Sequence, residues 1–600
     1  MKEIHVCSGT YSEQITLDLP ISLRGGYACG NFSRDTGAFG SRVNEVKLFA
    51  DKFSGPPGQA SPTLTITGAA VGSATEIDGF TISGGVSGQP LDLHATGVVA
   101  VKIANGAAPH VFNNVIDGGG VEAQAGPGST AVAIVGPANP EISGNSILGG
   151  NGKTTADNTT GSVGISVDLN HVDSNASIHD NEVRGGSGQT TAGVSVGSTG
   201  LLVFEPAPAA ATVPRMRVPI EKNGIYGGSG SQTAATANGD GAFGSLGVNV
   251  SVAGVTLQRN FIDGGSGRVT APAGAAAITA IRLAFTAPPV VIEANRIFAG
   301  SQLPDPFDSR REVRTIHMVY GALVDVVNNF MIGPGTGATT KIHQGSFVRV
   351  AGGNNNDLIM LRHNTFVPQP GVVFDDFATV DLAGGNSTYV IENNLFLPAA
   401  TGTAGRSAPF RIREKGAPSN TVCDIASPQP FFHPELASVK GNSFVMGTNP
   451  NIVISADEPP AACDVSMVGF TSHFGSAVTV GNQRASSSCF ANEGSSCVTE
   501  TCNAATCAST YFSTWGANGL ASLADPDAGL RLAPNTRCSV SSSDAGQIGS
   551  GTVARPNDAG FVLYPDSGRV IVRSVPLDAF MAQRTLPVSR GAHELDGPCN

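Results

Sequence analysis

Ile142-Ser143-Gly144-Asn145-Ser146-Ile147-Leu148-Gly149-Gly150 is a unit that the chain repeats: an apolar residue, two spacers, asparagine, one spacer, a second apolar residue, then glycines. The asparagine returns at Asn114, Asn145, Asn181, Asn223, Asn260, Asn295, Asn329, Asn364, Asn394 and Asn442, at separations of 31, 36, 42, 37, 35, 34, 35, 30 and 48 residues. Three positions earlier stand Val111, Ile142, Ile178, Ile220, Leu257, Ile292, Val326, Leu361, Ile391 and Val439. Two positions later stand Ile116, Ile147, Val183, Ile225, Ile262, Ile297, Met331, Phe366, Phe396 and Phe444. Ten matches at three fixed positions exclude coincidence. An earlier copy, Ile77 to Gly85, keeps the frame with Phe80 in place of the asparagine.

A fixed motif separated by a variable spacer means that one part stacks identically at each pass while the loops between passes differ, which is a solenoid. The units carry short alternating runs rich in Val and Ile, broken by Gly, Ser, Thr and Asn, so they are strands rather than helix pairs. Further strands are expected at 163–167, 194–196, 248–252, 278–283, 316–319, 347–350, 379–382 and 410–412. Successive copies run in one direction if each unit is one turn, so the sheets are parallel and the fold class is an all-β parallel β-helix. The recurring asparagines then hydrogen-bond from turn to turn, and their tolerance of left-handed backbone suits a corner. A repeat array accommodates 600 residues in one elongated body. At ~4.8 Å per turn the repeats span on the order of 50 Å. The expected division is residues 1–60 as first coils, 61–450 as β-helix repeats, and 451–600 as Cys-rich terminal coils and cap.

The Ile77–Gly85 copy and the later Asn-x-Ile-x-Gly-Gly units resemble the parallel β-helix repeats of the pectate-lyase-like superfamily. The opening Ile4 to Glu13, leading to Ser22-Leu23-Arg24-Gly25-Gly26-Tyr27, is similar to the first coil of its secreted bacterial members. Leu530 to Pro534, Asp544-Ala545-Gly546 and Gly591-Ala592-His593-Glu594 resemble their closing segment. The resemblance implies a single-stranded, right-handed parallel β-helix. It implies no one activity, since that superfamily holds lyases, hydrolases, esterases, epimerases and adhesins.

Composition fits tight corners and stacked strands: 77 Gly and only 14% charged residues. A net charge of -12 argues against nucleic acid and anionic membrane as partners, leaving a polysaccharide or cell-envelope component. No apolar run is long enough for a transmembrane helix. The chain opens directly on a first-coil strand without a signal peptide, so a trimmed mature form or a misplaced start is expected. Ten cysteines point to an oxidising compartment, hence a secreted or cell-surface location. Cys7 and Cys29, one coil apart, can bridge the first two turns. The other eight (Cys423, Cys463, Cys489, Cys497, Cys502, Cys507, Cys538 and Cys599) read as disulfides of an irregular terminal region. Their spacing lacks the paired Cys-x-x-Cys of structural zinc, and no metal or cofactor is expected. The Gly-Gly-Ser-Gly units at 185–188, 227–230 and 264–267 lack the aspartate of calcium-binding repeats. Residues 203–219 read as a Pro/Ala-rich loop, and the charge cluster at 303–314 as a solvated one.

Chemistry on this fold belongs on the outer face, because stacked side chains fill the interior. Aligning the accessory strands by their inward apolar pairs gives an outward column of Ser166, Ser195, Asn249, Arg282, His317, Arg349, Asp381 and Arg411. The column turns charged from Arg282 onward. Asp381 and His317 are the acid/base candidates. Arg282, Arg349, Arg411, Arg362, Asp375 and Asp376 are the substrate-binding ones, because acidic sugars need arginine to hold their carboxylates. A surface ladder of alternating charges accounts for the same residues without chemistry. The chain lacks the Arg-x-Pro-x-x-Arg of pectate lyases and the Gly-His-Gly of polygalacturonase-like hydrolases, although Asp375-Asp376 resembles the paired aspartates of the latter. Only one Trp and seven Tyr are available to stack sugar rings, and the Phe fall at inward positions. The expected function is therefore an exported β-helix scaffold or adhesin-like surface protein without catalysis. The alternative is a polysaccharide lyase or glycoside hydrolase acting on an acidic glycan.

Overall fold

Asparagine marks a corner because its side chain can bond the backbone on both sides of a bend and the neighbouring turns at once. A computed structural model of the chain describes residues 2–35, 44–50, 62–85, 93–169, 174–205, 218–233, 242–269, 276–284, 290–300, 312–319, 323–333, 341–351, 358–368, 372–382, 387–412, 434–445, 451–455, 465–466, 483–485, 562–563 and 570–571. Among these there is no helix, and hence none long and apolar enough to cross a membrane. The chain forms two compact units, Met1–Arg282 and Leu283–Asn600.

In each unit the turns build three parallel sheets. One repeat supplies two of them. Glu141–Ser143 lies in the first sheet and Ser146–Leu148 in the second, with Gly144 and Asn145 as the bend between. The third sheet holds longer strands such as Thr160–Asp168 and Phe243–Ser251 in the first unit and Val373–Leu382 in the second. Register follows the repeat: Ile142 pairs with Val111 and Ile178, and Ile147 with Ile116 and Val183. The two apolar positions of the motif therefore stack as inward columns, fully buried.

The asparagines form a ladder in each unit. Asn145 donates from its backbone N–H and from Nδ2 to Asn181 Oδ1, both at 3.0 Å. The same Nδ2 reaches the carbonyls of Val111 in the previous turn and Ser143 in its own, at 2.9 Å each. Asn329 repeats this in the second unit with Asn364, Ile292 and Val327. Where Phe80 replaces the asparagine, its backbone N–H still donates to Asn114 Oδ1 (3.0 Å), so the frame survives the substitution. The left-handed residue of the corner is the one before each ladder asparagine: Asn113, Gly144, Asp180, Lys222, Arg259, Ala294, Asn328, His363, Asn393 and Gly441 all have φ between 53 and 63°. This corrects the expectation that the asparagine itself takes that conformation.

A second ladder runs through the first unit. Ser129, Ser162, Ser198 and Ser245 stack in register on the third sheet. Each hydroxyl donates to the carbonyl of Gly149, Gly185, Gly227 or Gly264 at 2.5–2.6 Å. Each also accepts from the N–H of Gly152, Gly188, Gly230 or Gly267 at 2.9–3.0 Å. The Gly-Gly-Ser-Gly units thus form the corner that feeds this ladder. Nothing larger than glycine fits there, since a Cβ on Gly150 would lie 2.0 Å from Gly119 O.

Several expectations on strand limits change. The strand predicted at 194–196 is Val196–Phe204. Val203 and Phe204 belong to it, and Pro219 lies in Val218–Glu221 opposite Thr256, so both ends of the Pro/Ala-rich stretch are strand. Arg314, expected in a solvated loop, is buried in Glu312–Val319. Cys7 and Cys29 are joined, with Cα atoms 4.9 Å apart. The other eight cysteines and the proposed closing segment lie outside the described residues.

Candidate functional site

The charged column is assembled by the third sheet of the second unit. His317 aligns with Arg349, Arg349 with Asp381, and Asp381 with Arg411. Their neighbours Ile316, Met318, Val348, Val350, Val380, Leu382 and Phe410 point inward and are buried, so the charged side chains take the other side of the sheet. The register was legible in the sequence, but the surroundings were not. His317 is 0% exposed, Asp381 1% and Arg411 1%, where solvent-facing side chains were expected. Only Arg349 is half-buried. These outer positions are buried, and alternation along a strand does not encode whether its outer face meets water. The surface-ladder reading is corrected for the same reason, since the Asp381–Arg411 pair is an interior one.

Arg411 Nη1 donates to Asp381 Oδ2 at 3.3 Å. Arg314 Nη1 lies 3.0 Å from His317 Nδ1, which accepts from it. Asp376 is clasped by Arg406, whose Nη2 and Nε reach its two oxygens at 3.0 and 3.2 Å. Asp375 and Asp376 precede the column on the strand of Asp381 and do not join it. Arg362 is on the first sheet, where it holds Asp325 through Nη2 at 2.8 and 3.0 Å and Nε at 3.3 Å, with side chains 8% and 2% exposed. It is a buried, two-pronged pair, and not a clamp beside Asp381.

Earlier column members lie in the first unit. Ser166 aligns with Leu202, and Leu202 with Asn249, so Leu202 takes the place assigned to Ser195. Ser195 is buried before the strand begins, bonded to Thr190 Oγ1 (2.6 Å) and Ala192 O (2.9 Å). Arg282 donates to Asn249 Oδ1 at 3.2 Å and lies 5.7 Å from the centre of the Phe243 ring.

The first unit also shows two exposed polar clusters that the sequence reading missed, because each joins residues about one turn apart at positions outside the motif. On the first sheet, His110 Nε2 meets Ser143 Oγ at 2.8 Å and lies 3.6 Å from Glu141 Oε1. His179 stands between Glu141 Oε1 (3.1 Å from Nε2) and Asp180 Oδ2 (2.9 Å from Nδ1). Partial burial pulls His179 down, but hydrogen bonds and charges from Asp180 and Glu141 outweigh it and hold the imidazole above its ordinary value. On the second sheet, Arg184 pairs with Glu182 at 2.6 Å and lies 4.3 Å from the centre of the Tyr226 ring, which tilts against Phe261. Burial pushes the Tyr226 phenol up. Burial also pushes Asp263 up to about 6, against the pull of the Gly265 N–H and of Arg184. Asp263 as a residue is only half-buried, but the depth of its carboxyl group governs its ionisation.

Among the described residues no group of three or more His, Cys, Asp or Glu side chains is placed to hold a metal. Compared with protein-family models, curated proteins and solved structures, the chain matches none of them.

Proposed function

We propose that the chain is an exported β-helix scaffold of adhesin-like type, which meets a glycan or another envelope component through the outer faces of its first unit and performs no catalysis. The observation that carries this reading is the enclosure of the charged column. Asp381 and His317, the residues best suited to acid/base work, lie out of reach of a long polysaccharide, and Asp381 is engaged by Arg411. Exposed polar side chains are instead spread along the first unit, where Glu141, Glu182 and Arg184 face solvent on successive turns. Sugar recognition needs arrays of hydroxyl, carboxylate and guanidinium groups beside an apolar face. Arg184, Glu182, Tyr226 and Asp263 supply these on the second sheet. The Cys7–Cys29 bond supports an oxidising compartment.

The test is a screen of acidic and neutral polysaccharides that records binding and new unsaturated or reducing ends, using wild type, Arg184→Ala and Asp381→Asn. Binding that falls in Arg184→Ala, with no turnover by any protein, is the expected result. Turnover that disappears in Asp381→Asn would replace the scaffold by the lyase or hydrolase reading, with Arg349 and Arg411 on the substrate carboxylates.

A further inference from the structure

Arg411 is among the most buried large side chains of the described residues, at 1% exposure, yet its guanidinium is only partly used. Nη1 reaches Asp381, while Nε and Nη2 have no hydrogen-bond partner among the described residues. These two atoms form one edge of the guanidinium, on which two N–H groups point in parallel. That edge matches the paired oxygens of a carboxylate or a phosphate. Burying a cation with donors unused costs several kcal/mol, and such groups are retained where something completes them.

We infer that Arg411 holds a small oxyanion, of carboxylate or phosphate type, in a two-pronged contact through Nε and Nη2, with Asp381 positioning the guanidinium through Nη1. Asp381 both orients the fork and opposes the ligand, because its carboxylate repels a second anion nearby. The two residues therefore have opposite effects on affinity. This inference does not rest on the scaffold reading, and an empty fork would leave the polysaccharide screen unaffected.

The experiment is calorimetric titration of the full chain with inorganic phosphate and, separately, with galacturonate, each against sodium chloride at equal ionic strength. Saturable binding of one of them to wild type is expected, and which one binds separates a free inorganic anion from a sugar carboxylate. Arg411→Gln should abolish it. Asp381→Asn, which keeps the guanidinium, should tighten it by about tenfold. If Arg411→Gln fails to fold, the gain in Asp381→Asn alone decides the matter. No saturable binding by wild type, or affinity unchanged or weakened in Asp381→Asn, would overturn the inference.

Discussion

The two units follow the same repeat and differ in how they finish it. In the first unit the outward residues of the short strands meet water: Glu141, Leu148, Glu182 and Arg184 are exposed, while the inward residue between them is buried. In the second unit the same positions are closed off, and Phe330–Ile332, Leu358–Arg362 and Thr365–Val367 are buried at every residue. The outer side chains there are chosen for enclosure. Leu358 and Met360 pack with Leu323 and Val390, and Arg362 is neutralised by Asp325. The interiors differ as well. The first unit fills its second inward column with Ile and Val, and adds the serine ladder at glycine corners. The second stacks Phe366 on Phe396 and Phe396 on Phe444, at 5.0 and 4.9 Å between ring centres. One backbone frame thus tolerates a polar ladder in one unit and an aromatic stack in the other, because the asparagine corner supplies register in both.

The largest test of this contrast removes one partner of an ion pair in each unit. Asp325→Ala should cost about 3–5 kcal/mol, since it strands Arg362 in the interior. Glu182→Ala on the exposed pair should cost about 1 kcal/mol or less. Urea unfolding followed by hydrogen exchange, resolved by peptide, would measure both, and equal costs would break the distinction. Next come the ladders. Asn181→Ala and Asn364→Ala should each cost about 3 kcal/mol, because each orphans an N–H, an amide and a carbonyl in the preceding turn. A loss confined to one unit would show that the corner does not do the same work in both.

The smallest effect is one of pH, and it belongs to the first unit. Both shifted groups bind protons more tightly when folded, so their stabilisation is present at low pH and is lost as pH rises. For Asp263 the loss runs from its ordinary value near 3.8 to about 6. For His179, raised from its ordinary value of 6.5, the loss begins there and continues upward. Exchange protection in first-unit peptides should therefore decline from about pH 4 upward. Asp263→Asn should flatten the lower part of that decline, and His179→Gln the upper part. A rise in protection across this range would show that other groups dominate.

The ten asparagines, their apolar flanks and the inward Phe366, Phe396 and Phe444 were readable in advance, because each residue type meets the same need at each turn. The serine ladder was equally available, as a Gly-Ser pair opening third-sheet strands at 128–129, 161–162, 197–198 and 244–245, but its spacing is masked by unequal loops. The placement of Ser195 in the column failed for a local reason. Val194 and Val196 alternate like a strand, and only the pairing with Thr160–Asp168 and Phe243–Ser251 shows that Leu202 carries the outward position.

What the chain's own order of residues determined is the rung: where it bends, which side chains point in, and which residue lies over which. Those follow from stereochemistry that acts within a few positions and repeats. Which outer side chains meet water was decided only by the tertiary structure. Asp381 and Arg411 have the same alternation as an exposed pair, and their burial is a property that no periodicity along the strand records.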